Sequence, residues 1–118
     1  MKADADGILR IGLSLVYLWF GINQIADPTS FLSFPPAWMP LEAATMVFLN
    51  GVFETITATL LLFGVFNRVA AGLLGLHMVG IIVALGYNPV AVRDFGLLVG
   101  LIAVMINGPD SYSLWSVD

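Results

Sequence analysis

Four long apolar runs divide the chain, covering roughly residues 8–25, 41–63, 69–86 and 90–106. The runs are continuous and lack the two-residue alternation that membrane strands would show. Each comes close to the ~20 apolar residues that a helix needs to cross a bilayer. Every backbone amide inside a membrane has to be bonded internally, which selects helices. The connections carry the expected punctuation. A Pro- and aromatic-rich segment, ADPTSFLSFPPAWMP, fills 26–40, a short turn spans 64–68, Tyr87-Asn88-Pro89 makes the next, and Asn107-Gly108-Pro109 stops the last run. Short turns make successive helices antiparallel neighbours. The expected fold is therefore all-α: an integral membrane four-helix bundle, with residues 1–118 forming one domain.

Composition agrees with this pattern. The 118 residues are 59% apolar and 10% charged, against about 25% charged in soluble domains, and the mean hydropathy is +0.97. A domain this small could not hide so much apolar surface from water, so lipid is the first expected partner. Four Lys and Arg residues against eight Asp and Glu give a net charge of −4, with no basic patch and hence no nucleic-acid partner. The absence of Cys excludes dithiol relays, thiolate metal sites and iron–sulfur ligation within the chain. One His cannot supply a bis-His haem, and no metal site is expected. The acidic start (Asp4, Asp6), with no A-x-A site after the first run, favours a retained span over a cleaved signal peptide. Lys2, Arg10 and Arg68 fall on one side of the predicted topology and only Arg93 on the other, so both termini are expected in the cytoplasm of a multi-pass cell-membrane protein. Phe31, Phe34 and Trp38 in the outer connection, with Tyr112 and Trp115 after the last span, read as interfacial anchors or as a short lid.

Against this background Glu54 stands out. It is the one charge between residues 43 and 66, and an ionisable group near the middle of a span marks a functional site by default. Aligning the second and third spans about their turn brings His77 to the depth of Glu54, where carboxyl and imidazole could share a proton. Asn50 lies one turn outward on the same face as Glu54. Aligning the first and second spans brings Asn23 near Asn50, and Gln24, Arg93 and Asp94 belong to the same end. Glu54 and His77 are thus the candidate catalytic pair, and Asn23, Asn50, Arg93 and Asp94 the candidate ligand-binding set, with Arg93 the natural counter-ion for Glu54 or Asp94. The competing reading is structural: interhelical amides act as glue, and a buried Glu–Arg pair locks helix register. Gly96-x-x-x-Gly100 and Ala71-x-x-x-Gly75 mark close packing, within the bundle or against another subunit.

The segments "RIGLSLVYLWFGINQIADP", "NGVFETITATLLLFGVFNRVAAGLL" and "RDFGLLVGLIAVMINGPDSYSLWS" together resemble the DoxX-like family of small four-helix membrane proteins. The resemblance implies a polar signature on Glu54, Arg68, Arg93 and Asp94. It also implies a setting related to thiosulfate:quinone oxidoreduction, with quinone as the candidate cofactor and none carried by the chain itself. The leading expectation is an accessory or electron-transfer subunit of a quinone-linked redox complex, in which a partner carries the redox centre. A structural or assembly subunit of a larger complex, a homo-oligomer, and a small proton-coupled carrier are the alternatives.

Overall fold

The computed structural model describes residues 4–33, 35, 38 and 40–114. The described residues form four α-helices, α1 (Ala5–Ala26), α2 (Ala43–Phe63), α3 (Asn67–Leu85) and α4 (Pro89–Asn107), with a 3-10 turn at Pro28–Phe31 after α1. At 1.5 Å per residue, helices of 19 to 22 residues extend about 29–33 Å, the thickness of the hydrocarbon core. All four are long and apolar enough to span a membrane, and no strand occurs among the described residues. The protein is a multi-pass membrane bundle in contact with lipid.

Local chemistry sets the helix ends. Asp4 starts α1 three residues earlier than the hydropathy predicts, because its carboxylate accepts the free N–H groups of Asp6 and Gly7 at 3.0 and 3.2 Å. Asn88 caps α4 through the Ala91 N–H at 2.9 Å, and Pro89 follows at the first helical position. Gly64 ends α2 with φ 71°, a left-handed conformation that costs a residue with a Cβ. A Cβ there would also come within 2.5 Å of the Ser113 backbone, so the residue has to be small as well.

Helices α1 and α2 pack together most extensively, α3 pairs with α4, and α2–α3 and α1–α4 contacts close the bundle. Leu13, Tyr17, Ala58, Leu61, Ala71, Leu74, Met78 and Leu101 share one core cluster. The perimeter carries large apolar side chains such as Trp19, Ile56, Leu76, Val83 and Phe95, which suits lipid as the surrounding solvent. Of the two small-residue patterns, Ala71, Gly75 and Gly100 serve packing inside the bundle, with Gly100 against Leu13, whereas Gly96 has open space around it. Trp38 is exposed. Tyr112 sits on the start of α1, its hydroxyl accepting the Asp4 N–H at 3.2 Å. The anchors expected at Phe34 and Trp115 lie outside the described residues.

Candidate functional site

A close crossing of two glycines builds the site. A Cβ on Gly21 would lie 2.8 Å from the Thr55 nitrogen, and one on Gly51 would lie 2.8 Å from the Gly21 carbonyl and 2.9 Å from Gln24 Cβ. Only glycine at both positions lets α1 and α2 approach this closely. Gln24, one turn beyond Gly21, is thereby delivered to Glu54, one turn beyond Gly51. Gln24 Nε2 donates to Glu54 Oε2 at 3.2 Å, and Asn50 Nδ2 donates to Glu54 Oε1 at 3.0 Å and to Gln24 Oε1 at 2.7 Å. The result is a closed triangle of one carboxyl and two neutral amides, buried between two membrane-spanning helices.

From α3, His77 brings Nε2 to 3.8 Å from Glu54 Oε1, and its ring packs on Phe53 with centroids 4.8 Å apart. From α4, Arg93 donates twice to Asp94 Oδ1, at 3.2 and 3.0 Å, and its guanidinium lies 5.2 Å over the Phe20 ring. Of the two counter-ion pairings open in the sequence, Arg93 therefore takes Asp94. Among the described residues Glu54 forms no ion pair with Lys or Arg. Asn23 stays on its own helix, where its amide donates to the Trp19 carbonyl at 2.7 Å. Gln24 occupies the place expected for Asn23. Gln24, Asn50, Glu54, Arg93, Asp94 and Tyr17 surround a cavity of about 50 Å³.

A family model for DoxX matches residues 5–86, which include α1, α2 and α3 and so Gly21, Gln24, Asn50, Glu54 and His77. The chain belongs to the DoxX family. No curated protein and no solved structure matches it.

The quinone that the DoxX resemblance implies can be tested against this cavity. A void of about 150 Å³ is known to take a benzene ring, and the space beside Glu54 is about 50 Å³. That space is smaller than the one a benzene ring occupies. The cavity suits water, which needs roughly 10–15 Å³ on the same measure and two to four polar partners. Among the described residues of this DoxX chain, no group of three His, Cys, Asp or Glu side chains gathers to hold a metal.

A second polar cluster lies at the opposite end of the bundle, and sequence reasoning missed it. Arg10, counted there only as a topology signal, is 0% exposed. Its Nε and Nη2 donate to the two carboxylate oxygens of Asp110 at 2.7 and 3.2 Å. Its Nη1 donates to the Leu61 and Leu62 carbonyls at 2.7 and 2.8 Å. These belong to the last turn of α2, where carbonyls have no partner within the helix and the dipole favours a cation. Arg68 does the same for α4 through the Met105 and Ile106 carbonyls. Asn67 bonds the Gly108 carbonyl and the Ser113 hydroxyl, and the Leu114 N–H donates to the Phe63 carbonyl at 3.0 Å. Residues 108–114 are thus tied across one end of the bundle. The missed signal is spacing: Arg10, Ser14, Tyr17, Gly21 and Gln24 recur at three- and four-residue intervals and form one buried stripe of α1.

Proposed function

We propose that this chain is an accessory subunit of a quinone-linked membrane redox complex, and that its contribution is a proton-exchanging carboxyl group at Glu54. The observation that carries the reading is the environment of Glu54: buried in a span, bonded by two neutral amides, without a Lys or Arg partner among the described residues, and beside a polar cavity. Neutral ligands leave a carboxyl group free to bind and release a proton, whereas a bound guanidinium would hold it ionised. A partner protein carries the redox centre and the quinone pocket, because the cavity here is smaller than the one a benzene ring occupies. The thiosulfate:quinone setting implied by the family resemblance supports a redox partner of that kind. The excess of Lys2, Arg10 and Arg68 over Arg93 supports termini on the cytoplasmic side of the cell membrane. The chain has no Cys, so labelling a single cysteine at Ser111 in intact cells tests that orientation directly.

The central test is Glu54→Gln in the complex purified gently from its source membrane. Gln keeps the shape and an acceptor oxygen but cannot exchange a proton. Insertion and helicity should persist, while quinone-linked turnover should fall roughly 10²-fold, the usual scale of a lost general acid or base. Unchanged turnover would sink the reading. A second reading, that of a structural or assembly subunit, is favoured by the bond from Gln24 on α1 to Glu54 on α2, which joins two helices. It expects Glu54→Gln to change stability or complex yield and leave the turnover of assembled complex alone.

A further inference from the structure

A carboxyl that exchanges a proton needs a base within reach. Among the described residues the base at ion-pair distance from Glu54 is His77, whose Nε2 lies 3.8 Å from Oε1. That nitrogen is buried and has no hydrogen-bond partner among the described residues, and a buried polar atom left this way calls for a chemical explanation. Locking the helices together does not explain it. The amides of Gln24 and Asn50 already close on the carboxyl at 3.2 and 3.0 Å, so the link between α1 and α2 is complete without the imidazole. The 3.8 Å separation is about 0.6 Å beyond an ordinary N–H···O bond. The last torsion of a Glu side chain is soft, and a small turn about it closes the gap.

The ring also has a distinct place. Glu54 lines the cavity and His77 does not, so the imidazole meets the carboxyl on another side. The other ionisable groups near the carboxyl are on the cavity side: Tyr17 on α1, and Asp94 with Arg93 on α4. Asp94 is held by Arg93 at 3.0 and 3.2 Å, whereas His77 carries no such tie. Its side chain is 28% exposed although Nε2 is buried. The ring therefore reaches from the carboxyl to the perimeter of the bundle.

We infer that His77 is the proton partner of Glu54, taking the proton on Nε2 and linking the buried carboxyl to the perimeter on the α3 side. The inference rests on Glu54 being the proton-exchanging group. In the neutral ring the hydrogen is on Nδ1 and Nε2 keeps its lone pair. The Glu54 O–H bond breaks as the Nε2–H bond forms, and its electron pair stays on the carboxyl oxygen. Acid and neutral imidazole become carboxylate and imidazolium. The summed charge is zero before and after, no electron moves, and the reverse step restores both groups. The two amides go on donating to the carboxylate, and the imidazolium beside it is its counter-ion.

The test uses the full chain in phosphatidylcholine liposomes. One His and two Glu residues are present, so nitrogen-15 His and carbon-13 Glu labels report on this pair with little overlap. Glu42 precedes α2 and lies roughly 18 Å along the axis from Glu54. Solid-state NMR of the wild type should show dipolar coupling between the His77 ring nitrogen and the Glu54 carboxyl carbon, and its absence at every pH overturns the pairing without any variant. Protonating the ring should need at least ten-fold more acid in Glu54→Gln, because the carboxylate that steadies the imidazolium is gone. In His77→Gln the Glu54 carboxyl band in the infrared should be harder to deprotonate by a similar factor, since the coupling is reciprocal. A His77 that only packs on Phe53 would change unfolding and leave both titrations in place, and unchanged titrations overturn the pairing. The two proposals fail separately. A Glu54 band that never titrates removes the proton-exchange function and the pairing with it, whereas a titrating Glu54 whose band ignores His77→Gln removes the pairing alone.

Discussion

Asp110→Asn should destabilise this small bundle by about 3 kcal/mol, and the geometry explains why so small a change should cost so much. An exposed ion pair is worth about 0–1 kcal/mol. Here the Arg10 and Asp110 side chains are 0% and 2% exposed, which puts the pair in the class where removing one partner costs about 3–5 kcal/mol. The lower end applies because Arg10 keeps its bonds to the Leu61 and Leu62 carbonyls. Arg10→Met should cost more, since it takes the Arg10 donor from the Leu62 carbonyl and leaves the Asp110 carboxylate without its counter-ion. The double variant should be less destabilised than the sum of the two singles by about 2 kcal/mol, within the range found for residues that share a network. Reversible unfolding of the reconstituted protein in SDS, followed by circular dichroism, gives all three values. A loss below about 1 kcal/mol for Asp110→Asn, in the range of surface substitutions, or strict additivity in the double variant, would refute the view that Arg10 holds the C-terminal segment across the bundle.

The same pair sets an acid limit. Burial pushes the Asp110 carboxyl up, but the Arg10 hydrogen bond, the Tyr112 N–H and the Arg10 charge outweigh it and hold the carboxyl below its ordinary 3.8. A depressed folded value means that the stability is fully present above about pH 3.8 and is lost as pH falls through the folded value, so the stabilities of wild type and Asp110→Asn should converge in acid; curves that stay parallel down to pH 2 would contradict this. At the other end of the bundle, Gly51→Leu should force α1 from α2, because its Cβ alone would meet the Gly21 carbonyl at 2.8 Å. The expected cost is about 1–3 kcal/mol of overpacking, read by the same unfolding assay, and a neutral result would mean that the glycine crossing does not set the spacing on which the Gln24–Glu54 bond depends.

The fold was legible because its determinants are local. Span length, the Gly, Pro and Asn stops and the lack of alternation need no knowledge of neighbours, and the helix ends fall within three residues of the expected ones. Depth was legible too, since counting residues outward from a tight turn is enough to bring His77 beside Glu54. Direction around the helix was not. Asn23 and Gln24 sit at nearly the same depth but about 100° apart, and depth alone could not choose between them. The deciding signal was present: Gly21 and Gln24 lie three residues apart, as do Gly51 and Glu54, so each polar group shares a face with a glycine that marks where the helices touch. Arg10 was hidden for a related reason. Its charge reads as interfacial until it is seen on the stripe that Ser14, Tyr17, Gly21 and Gln24 continue.

That stripe reverses the usual logic of an amphipathic helix. In water the apolar face of a helix turns inward. In α1 the inward face carries a guanidinium, two hydroxyls, a glycine and an amide, while Leu15, Trp19 and Ile22 face outward. Lipid makes this arrangement favourable, because a polar group in a span gains more from a protein partner than from hydrocarbon. The stripe also divides the labour of the helix. Arg10 at one end ties down the C-terminal segment, and Gln24 at the other holds Glu54, fourteen residues or roughly 21 Å away along the axis. Sites this far apart with no shared partner contribute almost additively. The ion pair at the termini can therefore set how firmly the bundle holds together, while the chemistry beside Glu54 is set by the glycine crossing. A variant that loosens the first without altering the protonation of Glu54 would separate the two roles of a single helix.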